Sequence, residues 1–190
     1  MKRLFVIKLL FVLLCSQFVL LACSNEKKTS SSNKESSMQG GAIATLAGTK
    51  PDTAVTGTVQ FEQMQGGKVK MKLDISVPTK ANQSVAVHIH EHADCGEMGK
   101  HAGGHWNPTN SNHGKWGSSS FHSGDIGNIN LDASGKASME LESDLWSIGG
   151  DPKTDILNKT IIVHSGVDDY TSQPSGNSGE RIGCGVIQKQ

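Results

Sequence analysis

The chain has 190 residues, 18 basic and 18 acidic side chains and 22 glycines, enough for one domain with accessory segments. The balanced charge and the absence of a basic patch argue against nucleic acid as a partner. Aromatics make up only 5%, and the many glycines favour β structure rich in turns.

Lys2, Arg3 and Lys8 form a positive n-region, followed by an apolar run from Leu9 to Leu21 broken only by Ser16 and Gln17. The run is short for a membrane span and reads as a secretory signal. It ends in Leu20-Leu21-Ala22-Cys23, which resembles a bacterial lipobox, where the cysteine becomes the lipid-modified first residue of the mature chain. Residues 1–22 are therefore read as a lipoprotein signal peptide. The mature chain is expected to be exported and held to the bacterial envelope, on its periplasmic or outer face, through acyl chains on Cys23. Each methylene buried in lipid contributes about 0.8 kcal/mol. Loss of the signal removes three cations and leaves fifteen basic against eighteen acidic residues, a balance of −3. Residues 23–40, rich in Ser, Asn, Lys and Glu, read as a solvated, lipid-anchored tether.

The folded domain is expected over residues 41–190. A first strand is read over residues 41–47, and Val55, Val59 and Phe61 mark a second. After the turn Gln65-Gly66-Gly67, Val69, Met71, Leu73, Ile75 and Val77 alternate cleanly with polar residues, the clearest strand pattern in the chain. Val85-Ala86-Val87-His88-Ile89-His90 is the fourth strand. Ile129 and Leu131, the turn Ala133–Lys136, and Ala137, Met139 and Leu141 form a hairpin. A connection follows over residues 143–156, then a strand Ile161–His164, a polar Gly-rich loop over residues 165–180, and a last strand Arg181–Ile187. No helix-period segment occurs in the mature chain. Eight short strands joined by turns and three long connections predict an all-β, Greek-key barrel or sandwich of immunoglobulin-like type.

Alternation sends Val85, Val87 and Ile89 to one face of their strand and His88 and His90 to the other. The segment that follows carries His105, His113, His122 and Asp125, three imidazoles and a carboxylate, a full tetrahedral set for zinc. Long loops without strands are usually functional, and metal ligation would order this one. Of the four cysteines, Cys15 leaves with the signal and Cys23 takes lipid. Cys95 and Cys184 remain, and in an exported protein they are expected to pair. A loop of about 90 residues gives a chain-entropy stabilisation of roughly 4–5 kcal/mol as an upper figure.

Residues 41–190 resemble the copper-zinc superoxide dismutase family. The resemblance is carried by His88-Ile89-His90, Cys95, Gly103-Gly104-His105-Trp106-Asn107-Pro108, His113 and His122-Ser123-Gly124-Asp125-Ile126-Gly127-Asn128. It continues through Val163-His164, Asp168-Asp169 and the run from Gly176 to Ile187. It implies one copper per subunit on His88, His90, His105 and His164, and one zinc on His105, His113, His122 and Asp125. His105 would bridge the two as imidazolate. The implied reaction is dismutation of superoxide to oxygen and hydrogen peroxide by alternate reduction and reoxidation of copper. His105 would break from copper to carry a proton, and Arg181 would guide the anion. Asp168, with Asp169 as rival, resembles the carboxylate that links a copper-ligand imidazole to a zinc-ligand one. A non-catalytic zinc- or copper-binding envelope lipoprotein is the alternative, but it has no use for Arg181. Family members include monomers and homodimers, and both states stay open here.

Two features depart from the family pattern. Residues 165–180 contain Asp168, Asp169 and Glu180 but no Lys or Arg, where many relatives place lysine. Weak long-range steering and a slower, less salt-sensitive capture of superoxide are expected. His92 and His101 lie outside the motifs and read either as solvated loop residues or as an accessory metal contact.

Overall fold

The computed structural model describes residues 40–190; the signal segment, Cys23 and the tether up to residue 39 lie outside the described residues. The described residues form nine strands: β1 Gly41–Gly48, β2 Thr56–Gln63, β3 Val69–Ser76, β4 Ser84–His90, β5 Gly127–Asn130, β6 Lys136–Ser143, β7 Thr160–His164, β8 Arg181–Val186 and β9 Gln188–Lys189. Two single 3₁₀ turns, Pro78–Lys80 and Lys100–Ala102, are the only helical pieces among the described residues.

All pairings are antiparallel, in the order β5-β4-β7-β8-β1-β2-β3-β6. The two edges, β5 and β6, follow one another in the chain and meet through a turn in which Asp132 accepts from Ser134 and Lys136. The sheet therefore curls into a nearly closed barrel, and the all-β Greek-key expectation holds. Closure also removes free strand edges, which otherwise invite aggregation.

The core follows from alternation. On β3, Val69, Met71, Leu73 and Ile75 are buried while Lys70, Lys72 and Asp74 point out. The register Met71↔Leu141 aligns the apolar side of β6 with it. Trp146, in the connection after β6, is buried in the core, edge-on to Phe61 at 6.0 Å between centroids. Its indole N–H donates to the Ser123 carbonyl at 2.8 Å, satisfying the one polar atom of a buried ring.

One expectation is corrected. The eight-stranded barrel expected from the sequence is the one found; the correction concerns only the last strand, which the sequence predicts to be continuous to Ile187. The structure breaks that strand at Ile187, which turns its side chain fully into the core and its amide to Lys159 O (2.8 Å). The chain then adds β9, which pairs with β1 at Ala42↔Lys189 and Ile43↔Gln188.

Candidate metal centre

β4 is buried on both faces. Val85, Val87 and Ile89 enter the barrel core. His88 and His90, two residues apart, share the outer face. Loop residues return over that face: Glu91 N donates to Gly104 O (3.1 Å) and Trp106 N to Ile89 O (2.8 Å), and His105 forms a bridge with His90. His105 is thereby laid against His88, with ring centroids 3.9 Å apart. His164 arrives from β7, paired with β4, at a register shift between Val163 and His164. Its ring centroid lies 5.0 Å from that of His88.

Two groups of ligand-capable atoms result, each lying within 4.8 Å of one another: His88, His90, His105 and His164, and His105, His113, His122 and Asp125. His105 belongs to both. All seven side chains are buried. The ring nitrogens divide into two kinds. One nitrogen of each ring meets a protein acceptor, and for His105 it is Nδ1, 2.8 Å from Asp125 Oδ1. Nε2 of His88 meets Asp168 Oδ2 (3.0 Å), Nδ1 of His90 meets Gly103 O (3.0 Å), and Nε2 of His113 meets Asp168 Oδ1 (2.9 Å). Nε2 of His122 meets Ser111 O (3.1 Å) and Nδ1 of His164 meets Gly179 O (3.4 Å).

The remaining nitrogens turn inward. His88 Nδ1, His105 Nε2, His113 Nδ1 and His122 Nδ1 have no hydrogen-bond partner although buried. His113 Nδ1 lies 2.9 Å from Asp125 Oδ2, yet not in hydrogen-bonding alignment. On the other side, Nε2 of His90 and Nε2 of His164 are 3.4 Å apart. A buried polar atom left unpaired costs about 1–3 kcal/mol, so four in one place fit cations that would accept their lone pairs. Nitrogen donors suit copper, and three imidazoles with a carboxylate suit zinc.

The electrostatics agree with that donor set. Burial holds the His88, His90 and His164 imidazoles below their ordinary pKa and pushes His105 down to about 4. These rings are thus held neutral, the form that binds metal. Burial opposes ionisation of Asp125, but the hydrogen bond from the His105 ring, the nearby His122 ring and the amides of His122 and Gly114 outweigh it and keep it a carboxylate. Asp168 is held ionised in the same way against burial, by His88, the Tyr170 amide and His113.

A model of the copper/zinc superoxide dismutase family (SODC) matches residues 55–187. The chain is 36% identical over 176 residues to a superoxide dismutase [Cu-Zn] of Paramecium bursaria Chlorella virus 1, covering 90% of this chain and 88% of the viral one. It is 37% identical over 153 residues to that of Yarrowia lipolytica, covering 77% and 96%. The crystal structure of the clock protein EA4 superposes with a TM-score of 0.68 at 31% identity, covering 78% of this chain and 93% of that one.

The chain belongs to the copper/zinc superoxide dismutase family. Dismutation of superoxide, with one copper and one zinc per subunit, is accordingly its activity. The dismutase centre opens to solvent through a cavity of about 590 Å³ whose walls include His90, His105, His164, Arg181 and Glu91. Arg181 is fixed there by the loop that carries Cys95. Its Nη2 donates to Gly103 O (2.7 Å) and its Nη1 to Gly99 O and, at 3.3 Å, to Lys100 O. Cys95 and Cys184 are joined by a disulfide, which ties that loop to the strand bearing Arg181. A cavity of similar size, about 570 Å³, lies over β2 and β3 and is lined by Glu62, Lys70, Lys72 and Glu140. It holds no histidine and is crossed by the Lys70–Glu140 ion pair.

Asp168 and Asp169 separate clearly. Asp168 lies between His88 and His113, whereas Asp169 is exposed and accepts from Thr171, Ser172 and Asn177 in its own turn. His92 and His101 are exposed, beside Glu91 and between Asp94 and Glu97 respectively. The two carboxylates meet opposite nitrogens of the His101 ring, so they share no metal position with it.

Sequence reasoning missed the supports of the centre. Gln173 clamps the His113 main chain, receiving from its N–H (2.9 Å) and donating to its carbonyl (3.0 Å). Asn128 does the same for Asp168, at 2.8 Å in both directions. Gly176, at φ +65°, leaves the space that Asp168 needs; a Cβ there would lie 1.8 Å from Asp168 Oδ1. The Gly103 carbonyl, shared by His90 and Arg181, carries no residue-type signal at all.

Proposed function

We propose that His88, His90, His105 and His164 hold copper, that His105, His113, His122 and Asp125 hold zinc, and that the His105 imidazole is common to both. One observation carries this reading. Nδ1 of His105 lies 2.8 Å from Asp125 Oδ1, on the zinc side, while Nε2 is buried without a partner, free for the copper side. Copper, when bound, alternates between two oxidation states and so exchanges an electron with each of two superoxide anions. Two superoxide anions and two protons yield one oxygen and one hydrogen peroxide.

The chain supplies the remaining steps. Arg181, a fixed cation on the cavity wall, attracts the anion and hydrogen-bonds it. His105 holds a proton at Nε2 between the two half-reactions and releases it to the departing peroxide. Asp125 keeps the other nitrogen of that ring oriented. A non-catalytic metal carrier would have no use for a guanidinium at that mouth, so the alternative is not favoured.

We also infer that residues 1–22 are a lipoprotein signal, that Cys23 carries lipid, and that residues 23–40 tether the domain over residues 41–190 to the envelope. The n-region, the apolar run and Leu20-Leu21-Ala22-Cys23 support this. So does the disulfide, which suits an oxidising compartment. An extracellular superoxide dismutase [Cu-Zn] of Caenorhabditis elegans is among the relatives, at 36% identity.

Metal analysis of the purified protein, paired with superoxide consumption before and after copper loading, tests the site. Equimolar copper and zinc with copper-dependent turnover is the expected result; zinc alone, with no turnover after loading, would overturn it. Radiolabelled fatty-acid incorporation that disappears in Cys23→Ser is expected for the anchor, and unlabelled wild type would refute it.

A further inference from the structure

We propose that Trp146 is a positioning residue for the zinc side. Through its indole N–H it sets the turn that carries His122 and Asp125, and with it the rate at which zinc is released. The inference rests on the zinc assignment above and deepens it.

His122 and Asp125 stand three residues apart, and between them lies the peptide group of Ser123 and Gly124. A peptide group is planar, so holding its two polar atoms fixes its plane. Its N–H donates to Trp106 O (3.0 Å), next to His105. Its carbonyl accepts from the Trp146 indole N–H (2.8 Å), its only donor among the described residues. The turn also presses on β4. Gly124 O accepts from Ile89 N (2.9 Å), and a Cβ on Gly124 would lie 2.3 Å from Ile89 O. Two of these three hydrogen bonds join main chain to main chain, and the third needs a side-chain donor at this place.

The plane of that peptide reaches both metals. Asp125 Oδ2 accepts from the His122 amide (2.8 Å) and the Gly114 amide (3.1 Å), and its Oδ1 meets Nδ1 of His105 (2.8 Å). A tilt of the peptide displaces His122 and Asp125 together, and Asp125 passes the shift to the shared ring. The Trp146 ring adds a second hold. It packs on Trp116, with centroids 5.1 Å apart, and Trp116 packs on Phe121 at 5.1 Å. Trp116 and Phe121 both belong to the segment between His113 and His122. On its other side the indole meets Phe61 of β2. Its aromatic contacts include no ligand imidazole, so it acts through the chain and not on the ion. Burial makes the hydrogen bond matter. Trp146 is 1% and Ser123 5% exposed, so water cannot replace a lost N–H, and a buried carbonyl without a donor is destabilised. Turning the peptide relieves that, at the expense of the ligand geometry.

The test uses the full chain loaded with copper and zinc. Trp146→Phe keeps an aromatic ring in the core and removes the N–H. It is expected to release zinc to a chromogenic chelator about tenfold faster than wild type, the scale on which outer hydrogen-bond partners act on metal affinity. It should also shift the visible bands of protein carrying Co(II) in the zinc position. Phe61→Leu loosens the packing of the same indole but keeps its hydrogen bond. It should lower the thermal midpoint of chelated protein as Trp146→Phe does, with wild-type zinc release and wild-type Co(II) bands. Wild-type zinc release from Trp146→Phe, or equally fast release from Phe61→Leu, reduces Trp146 to a packing residue and overturns the proposal. Coupling is reciprocal, so the Trp146 indole N–H of wild type, followed by NMR, should exchange more slowly with zinc bound than with zinc stripped. Equal exchange rates overturn the proposal even where Trp146→Phe fails to fold. A wild type that takes up no zinc overturns the ligand assignment and this inference with it, whereas the failures above leave that assignment standing.

Discussion

Asp168 Oδ2 lies 3.0 Å from Nε2 of His88, eighty residues earlier in the chain. Its other oxygen takes His113 at 2.9 Å, so one buried carboxylate orients a ring of each metal set without belonging to either. Asp168→Asn keeps the shape but replaces one acceptor with a donor facing a ring nitrogen. Such outer partners typically contribute 10- to 100-fold in metal affinity. We expect zinc affinity to fall by about that factor in a chelator competition, with copper retention also reduced. Wild-type affinity for both metals in Asp168→Asn would show the link to be idle.

Removing one ligand from each set should separate the two metals. His88→Ala is expected to abolish superoxide turnover while zinc remains bound, because His88 is a member of the copper group alone. Asp125→Ala should lose zinc and leave partial activity, since four copper-side imidazoles persist. The Asp125 change also strips an acceptor from the His122 and Gly114 amides, so its thermal midpoint should fall. Full dismutation by purified His88→Ala would defeat the copper assignment.

The buried imidazoles predict a definite pH profile for metal-stripped protein. Burial pushes His105 down to about 4 from its ordinary 6.5. As pH falls, the unfolded chain takes up that proton first, so stability is present above pH 6.5 and is lost as pH drops toward 4. Each pH unit between the unfolded and folded values is worth about 1.4 kcal/mol, so this ring accounts for roughly 3 kcal/mol. Burial displaces His88, His90 and His164 in the same direction. The thermal midpoint of chelated protein should decline steadily across this window, and a midpoint that is flat or rises on acidification contradicts the assignment of neutral buried rings.

The disulfide should act on stability first and on capture second. It closes a separation of 89 residues, for which loop-closure entropy gives about 4–5 kcal/mol. Cys95→Ser with Cys184→Ser should lower the thermal midpoint markedly. It should also raise the apparent KM for superoxide, because the Gly99 and Gly103 carbonyls that fix Arg181 belong to the released loop. An unchanged midpoint would argue that packing of Ala102 and Ile162 around the bridge is enough to hold the loop.

Much of the barrel is legible in local pattern. The strict alternation of β3 and the histidine pair on β4 are period-2 signals that need no partner to be seen. β9 is not legible, since two residues carry no period and exist as a strand only because β1 leaves Ala42 and Ile43 open to pairing. In the metal centre, the ligand types are visible as residues. Their supports are not: Gln173 and Asn128 act on main chain 60 and 40 residues away, and Gly99 and Gly103 act through carbonyls that every residue possesses. The contact of the Arg181 guanidinium with the Lys100 carbonyl joins positions 81 apart, which no local pattern reveals.

The division of β4 into an apolar side and an imidazole side has a consequence for biogenesis. Val85, Val87 and Ile89 knit into the barrel on one side, while every ion-facing nitrogen lies on the other, under loops. Scaffold assembly and metallation therefore draw on different surfaces of a single strand. Since the apolar core contains none of the metal-facing histidines, a chelated sample is expected to keep the strand pairing of the barrel while it loses its ions, which circular dichroism before and after chelation would check.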